Sequence, residues 1–354
     1  MKYTFEITIA GCAMNCAHCY VDGGIGPVMH FDDFSVLVQK LKPILNKLNG
    51  EIDVTLGNEL FCNPDIVKIL DYSAANLSRY FSYRNFPVPT TGIALVRHKD
   101  RDKILQSLRL LGAEKFMLAL HGKKHSHNGI VQNPNAFDEL FRAADYLSKN
   151  GFGILLNLIV SKALADGFSQ TAVTLSSLPY DVRLTVPLYV PTDRMRRYQS
   201  LRANYDEAMQ IADQAEQHGF PADSLRKHCK LHSEKAVLRD LSENGFSYDR
   251  EKAGAANWAF FHITQNLDLY YGNAGAHTKY LGNLKTADEE QLYRKIAVLG
   301  ANYDYTAFFE DSVFYGLENI LRKLPSHPQN LIYPSKADCI YAWLDELHQQ
   351  SLLI

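Results

Sequence analysis

Three cysteines stand close together near the start of this sequence. Cys12, Cys16 and Cys19 have the spacing C-x3-C-x2-C within residues 5–20, FEITIAGCAMNCAHCY. Three thiolates on one loop can bind three irons of a [4Fe–4S] cluster, which normally takes four cysteines, so one iron would stay open to another ligand. A zinc site completed by His18 and an electron-transfer centre are the alternatives, although zinc sites usually pair C-x2-C with a second such pair, which is missing here.

The elements around this loop predict an α/β protein. The alternation Phe5-Ile7-Ile9 indicates a strand that runs into the cysteine loop, and we expect Pro43 to kink or split the first helix. Strands that alternate with helices imply right-handed crossovers and a parallel sheet. Catalytic loops lie at the C-terminal ends of such strands. The predicted strands are 5–9, 52–57, 89–95, 115–120, 153–160 and 181–190. The helices between and after them are 32–49, one from Asp65, 100–111, 136–149, 168–177 and 204–218, followed by a helix with a break over 222–245.

These six strand-then-helix units suit a partial (β/α)6, TIM-like barrel. The cysteine loop also resembles that of the radical SAM (S-adenosylmethionine) superfamily, which implies the same fold. In that family S-adenosylmethionine binds the open iron, and an aromatic ring is preferred just before the last cysteine. His18 occupies that place and Tyr20 follows the last cysteine, so the resemblance implies that both contact the cofactor.

A second stretch, residues 54–70, supports this resemblance. Gly57-Asn58-Glu59 and the following LFCNPD are similar, without a gap, to the family's GGEP element with its trailing Asn-Pro-Asp. The resemblance implies that this segment binds the amino group of S-adenosylmethionine, since an ammonium needs oxygen acceptors and glycine lets backbone carbonyls approach. Asn58 replaces a glycine, but asparagine tolerates positive φ, and Leu60 replaces a proline. An ordinary strand–turn–helix junction is the alternative.

Weaker similarities continue in the same order along the chain. Asn157 matches an asparagine that often contacts the cofactor, although a satisfied polar group at a strand end is an equal alternative. Ala119 and Val131 stand where the family often has a serine and an arginine. The resemblance therefore implies that the carboxylate of S-adenosylmethionine is held differently here. We interpret the histidines of the same region as a solvated loop rather than a metal site; they are His121, His125 and His127.

Composition restricts the possible partners. The 354 residues carry a net charge of −2 without a Lys/Arg block, so we expect neither nucleic acid nor a membrane surface as a partner. The N-terminus lacks the apolar region of a signal peptide. Six cysteines, three of them clustered, favour a reducing compartment over a disulfide framework. We therefore expect a cytoplasmic protein.

The C-terminal third indicates a smaller α+β cap. We divide the chain into a core barrel (1–200), a helical linker (201–252) and a cap (253–354). Residues 258–285 predict a hairpin and resemble the SPASM/twitch extension of many radical SAM enzymes. That extension normally carries cysteines for auxiliary clusters, but Gly272 and Asn273 stand where one is expected. We predict a single cluster and a cap without auxiliary clusters.

The resemblance implies reductive cleavage of S-adenosylmethionine at a [4Fe–4S] cluster. The resulting 5′-deoxyadenosyl radical would abstract hydrogen from a small metabolite such as a sugar, nucleoside or amino acid, with flavodoxin or ferredoxin as electron donor. A peptide substrate and a non-enzymatic iron–sulfur or zinc module are the alternatives. Cys62 follows the second strand closely enough to face the barrel mouth, where its thiol could return a hydrogen atom to a substrate radical. Simple packing also explains this cysteine.

Overall fold

A computed structural model describes residues 1–19, 24, 26–190, 192–244, 258–272, 279–301 and 329–349. The strands there are β1 (Lys2–Thr8), β2 (Glu51–Gly57), β3 (Val88–Thr90), β4 (Lys115–Leu120), β5 (Gly153–Ile159), β6 (Asp181–Thr185), β7 (Trp258–Ile263), β8 (Asp268–Tyr271) and β9 (Lys279–Asn283). The helices are α1 (Phe31–Lys47), α2 (Ile66–Leu77), α3 (Ile93–Arg97), α4 (Arg101–Leu110), α5 (Lys124–Val131), α6 (Ala136–Lys149), α7 (Lys162–Ala165), α8 (Phe168–Ser176), α9 (Asp193–Tyr198), α10 (Tyr205–Gln217), α11 (Asp223–His232), α12 (Glu234–Asn244), α13 (Glu289–Ala301) and α14 (Lys336–Gln349).

The strands form two sheets. One has the order β2-β1-β7-β8-β9 and the other β3-β4-β5-β6. Every pair among β1–β6 is parallel, as the alternation of strands and helices predicts. A parallel bridge between Val54 and Phe81 joins β2 to the segment before β3. The loops that follow β1 and β2, and separately those that follow β3–β6, therefore share one edge of their sheet.

The two faces of each strand differ in composition. Phe5 and Ile7 of β1 and Phe261 of β7 are fully buried in the hydrophobic core. Glu6 and His262, which alternate with these residues, are half-buried on the opposite face. This period of two orients the apolar residues toward the core and leaves polar side chains on the other face.

The predicted hairpin is present, and it joins the sheet of β1. Strand β7 pairs with β1 in parallel, with His262 opposite Glu6, whereas β8 and β9 continue antiparallel. Two side-chain contacts support this junction: Trp258 Nε1 donates to Thr4 Oγ1 (2.8 Å), and Thr8 Oγ1 lies 2.9 Å from His262 Nε2. The division into three domains stays a prediction, since residue 253 lies outside the described ranges.

Some predicted elements end differently in the structure. The strand predicted over 89–95 stops at Thr90, because Gly92 adopts a φ of 78° and caps helix α3. The last predicted strand ends at Thr185 rather than residue 190, and helix α5 was not predicted. Helix α1 continues through Pro43, so the predicted split does not occur. The described helices include none that is both long and apolar enough to cross a bilayer.

A buried arginine attaches the segment after β6 to the C-terminal part of the chain. The Arg202 side chain is fully buried and donates to the carbonyl oxygens of Pro187 (2.8 Å), Leu188 (3.1 Å) and Ile332 (3.1 Å). Its guanidinium also lies 4.5 Å from the centre of the Tyr333 ring. A buried guanidinium is tolerated when its donors are satisfied in this way.

We expect Arg202→Lys to lower the free energy of unfolding by about 2–4 kcal/mol, because an ammonium cannot reproduce the forked donor geometry and leaves buried carbonyls unpaired. Denaturant unfolding of the full chain measures this change. Arg197→Lys, on the exposed face of α9, is the matched control and should have little effect. Equal midpoints for the two variants would contradict the role given to Arg202.

Candidate functional site

The cysteine loop leaves the end of β1 and is closed at its base by hydrogen bonds. The loop begins after Ile9 and ends before Met29, and Met29 N donates to Ile9 O (2.9 Å). The amide of Asn63, which is 1% exposed, donates to both Ile9 O (2.7 Å) and Met29 O (2.9 Å). One buried side chain from the segment after β2 therefore fixes both ends of the loop.

A close backbone contact shapes the start of the loop. Cys12 N donates to Gly24 O (2.8 Å). A Cβ atom on Gly11 would lie 2.3 Å from Gly24 O and 2.5 Å from Gly26 N. Since both are backbone atoms, glycine is required at this position.

Two thiols of the loop are partly buried against apolar side chains. Cys12 and Cys16 pack against Met14, Ile93 and Val131, and burial raises the pKa of both thiols to about 12. The positive charge of Arg194, on α9, acts in the opposite direction on Cys16. Without a bound cation these two thiols would stay protonated, whereas iron favours the thiolate.

Cys62 lies beside the cysteine loop. It ends a short 3-10 turn, Leu60–Cys62, and the nearby backbone N–H of Ala13 acts to lower the pKa of its thiol. Burial raises the pKa of this thiol, and Cys62 is close enough to raise the pKa of Cys12. The thiol therefore lies against the backbone of the cysteine loop. Its role as a hydrogen-atom donor stays a prediction.

The loop also contacts the segment that follows β4. Ala17 N donates to Ile130 O (2.8 Å), and Asn15 Nδ2 donates to Gln132 Oε1 (2.8 Å). Gln132 adopts a φ of 58° at the end of α5. These contacts attach the cysteine loop to both sheets.

A group of buried imidazoles lies next to the loop. The ring centres of His18 and His121 are 4.1 Å apart, and those of His121 and His127 are 5.5 Å apart. His121 and His127 are 1% and 2% exposed, so our interpretation of these residues as a solvated loop is wrong for both. Burial lowers the pKa of His18 and His127 to about 4, which keeps these rings neutral at neutral pH.

The Gly57-Asn58-Glu59 turn follows β2 beside the cysteine loop. Asn58 adopts a φ of 59°, the left-handed conformation that asparagine tolerates, and its amide lies 3.4 Å from Ala10 O. Glu59 is 3% exposed and points toward the end of β3. Its carboxylate accepts hydrogen bonds from Thr90 Oγ1 (2.8 Å), Thr91 N (2.7 Å) and Thr91 Oγ1 (2.7 Å). Glu59 thus connects the two sheets at the edge where the loops lie.

Asn157 lies on β5 in the second sheet. Its side-chain oxygen accepts hydrogen bonds from Arg183 Nε (3.1 Å) and the Thr185 hydroxyl, both on β6. This oxygen is therefore satisfied within the protein, in agreement with the interpretation of Asn157 as a satisfied polar group at a strand end. Its contact with a cofactor stays a prediction.

The structure brings most of the predicted site residues to one edge of the fold. They are Cys12, Cys16, Cys19, His18, Gly57, Asn58, Glu59 and Cys62; Tyr20 lies outside the described residues. Among those described, no three His, Cys, Asp or Glu side chains converge as ligands of a single metal ion. Sequence reasoning missed two features: the hydrogen bonds from Asn63 to both ends of the cysteine loop, and the carboxyl group of Glu6 beside Gly57. The Asn-Pro-Asp similarity already singled out Asn63, but nothing local distinguishes Glu6.

The fold is shared with solved proteins at low sequence identity. The sequence matches no protein-family model and no curated protein. It is similar to native anSMEcpe with bound AdoMet (S-adenosylmethionine) at a TM-score of 0.55 and 12% identity, over 99% of this chain and 98% of that one. The complex of anSMEcpe with AdoMet and the Cp18Cys peptide gives 0.53 at 12% identity and the same coverage. Coproporphyrinogen III oxidase (HemN) from Escherichia coli, a radical SAM enzyme, gives 0.47 at 13% identity, over 98% and 89%.

We expect Gly57→Ala to destabilise the protein by about 1–3 kcal/mol, because the added methyl would lie 2.5 Å from Glu6 Oε1 and 2.8 Å from Glu6 Cγ. In a Glu6→Ala background this clash is removed and the cost should largely disappear. A double-mutant cycle from denaturant unfolding of the full chain measures the coupling. Additive effects of the two changes would contradict the contact.

Proposed function

We propose that this chain is a radical SAM enzyme that holds one [4Fe–4S] cluster and S-adenosylmethionine. The observation that carries the proposal is the joint placement of the C-x3-C-x2-C loop and the Gly57–Glu59 turn, attached to each other through Asn63. Their resemblance to radical SAM motifs supports it, as does the fold shared with anSMEcpe, whose structure contains AdoMet. The two sheets, joined at β2 and β3, are proposed to form the partial (β/α)6 barrel of that superfamily.

The chemistry of the donor set fits an iron–sulfur cluster. Cys12 and Cys16 pack against an apolar cluster, and this burial raises the pKa of both thiols. Cys19 N donates to Cys16 O (3.2 Å), which places the third cysteine in the same turn. Cys12, Cys16 and Cys19 would each bind one iron, and the fourth iron would be left to S-adenosylmethionine. When bound, the reduced cluster would supply one electron to S-adenosylmethionine, whose carbon–sulfur bond would break to give methionine and a 5′-deoxyadenosyl radical.

The protein's own part is to position groups and to exclude water. Asn63 holds the base of the cysteine loop, and Glu59 holds the end of β3 beside it. His18 is next to Cys19, and its ring is tilted against that of His121; it is proposed to present a neutral ring toward the cofactor. Arg194 lies near enough to Cys16 to stabilise negative charge there. Burial of these groups strengthens each electrostatic contact.

We propose a small metabolite as substrate, with flavodoxin or ferredoxin as electron donor, in a cytoplasmic setting. A specific observation favours the alternative, a peptide substrate: anSMEcpe with the Cp18Cys peptide shares the fold over almost the whole chain. The C-terminal extension is proposed to be a SPASM/twitch-like cap without auxiliary clusters.

Anaerobic reconstitution with iron and sulfide tests the main proposal. The full chain should bind about four irons and, with strong reductant, convert S-adenosylmethionine to 5′-deoxyadenosine. Replacing Cys12, Cys16 or Cys19 by Ala should abolish 5′-deoxyadenosine formation, whereas Cys229→Ala, a buried cysteine on α11, should retain it. A colourless protein, or an iron protein that leaves S-adenosylmethionine intact, would refute the proposal.

The two substrate classes differ in what stimulates the reaction. We expect a pool of sugars, nucleosides and amino acids to accelerate 5′-deoxyadenosine formation above the substrate-free rate, and the Cp18Cys peptide to leave it unchanged. Stimulation by the peptide alone would favour the peptide alternative.

The proposed role of Cys62 is tested with whichever substrate is turned over. Cys62→Ala should stop product formation, because no thiol would then return a hydrogen atom to the substrate radical. Unchanged turnover would show that Cys62 serves only in packing.

A further inference from the structure

The carboxylate of Glu59, in the Gly57–Glu59 turn, is already engaged by hydrogen bonds within the protein. Glu59 is buried, and its two oxygens accept the hydrogen bonds of Thr90 and Thr91 described above. An ammonium ligand at this turn would therefore find the side chain of Glu59 directed away from it. A carboxylate that faces a cation bound at this turn would therefore have to belong to another residue.

A different carboxylate lies against the turn. Glu6 is on β1, two residues before Thr8, which pairs with Gly57. The side chain of Glu6 extends along the sheet, so that its Oε1 lies 2.5 Å from the position a Gly57 Cβ would take. The missing side chain of Gly57 thus makes the room in which the Glu6 carboxyl group lies.

This carboxyl group is available to a ligand. In the part of the chain that the structure describes, no hydrogen bond or ion pair engages the Glu6 side chain, and the residue is half-buried. Burial raises its pKa above the ordinary value for a glutamate. A carboxyl group in this state gains from a nearby cation, which restores the charged form.

The neighbours of Glu6 on the same face do not supply that cation. His262, its partner on β7, has a pKa lowered by burial to about 4 and lies 2.9 Å from the Thr8 hydroxyl. Thr55, its partner on β2, is uncharged. Lys2 lies on the same strand, but it forms its ion pairs with Glu51 and Asp53 at the other end.

We propose that Glu6 receives the protonated amino group of S-adenosylmethionine at the Gly57–Glu59 turn, while Glu59 serves only to position the turn. The inference rests on the proposed function and adds a binding residue from β1 to it. It also explains why a glycine at 57 accompanies a glutamate at 6. A side chain at 57 would displace the Glu6 carboxyl group, and a shorter residue at 6 would not reach the turn.

Binding without turnover tests the inference. Equilibrium dialysis of the reconstituted full chain, anaerobic and without reductant, compares S-adenosylmethionine with its analogue in which hydrogen replaces the amino group. We expect wild type to prefer S-adenosylmethionine and Glu6→Gln to lose about tenfold of that preference, because one charge-assisted hydrogen bond is removed. Asp181→Asn, a carboxylate paired with Lys115 at the start of β6, is the control and should keep it.

The outcomes separate the two levels of the proposal. An unchanged preference in Glu6→Gln would overturn the inference, and so would equal weakening of both ligands, which would indicate a general distortion. If Glu6→Gln takes up no iron, Glu6→Met provides a second neutral variant with the same expectation. Failure of both variants to take up iron would make Glu6 a structural residue and overturn the assignment. A wild-type protein that takes up iron but binds neither ligand would refute the proposed function itself.

Discussion

The candidate site depends on hydrogen bonds that two buried side chains make after β2. Asn63 donates to both ends of the cysteine loop, and Glu59 accepts from both residues at the end of β3. Each contact joins segments that are distant in sequence, so a short stretch following one strand determines how three loops meet. Since buried polar groups are costly when unpaired, each partner is held strongly. The geometry of the site is a property of this stretch more than of the cysteine loop itself.

Features encoded over short distances in the sequence were predictable. The strand before the cysteine loop, the helix–break–helix pattern of α11 and α12, and the hairpin follow from periodicity and turn residues. The positive φ of Asn58 agrees with the substitution of asparagine for glycine in the turn. In each case the local chain determines the conformation, because the apolar period or the steric limit acts within a few residues.

Features that depend on long-range pairing were not predictable. The buried ring of His121 packs against His18 of the cysteine loop, more than 100 residues away in the sequence, and His127 packs in turn against His121. Likewise, the position of Glu6 over Gly57 depends on the register between β1 and β2, and a shift of one residue would turn Glu6 toward the core. A polar residue in an alternating strand predicts only which face it occupies. What it meets there is decided by the neighbouring strand.

The parallel pairing of β7 with β1 determines at which edge of the sheet the turn after β7 lies. Because the two strands are parallel, β7 must run toward the same edge as the strand that delivers the cysteine loop. The turn after β7, where Leu267 adopts a φ of 67° and its N–H donates to Thr264 O, therefore lies at that edge as well. An antiparallel pairing would have placed this turn at the opposite end. The C-terminal part of the chain thus contributes the face of His262, beside Glu6, and a turn at the edge where the proposed cofactors would bind.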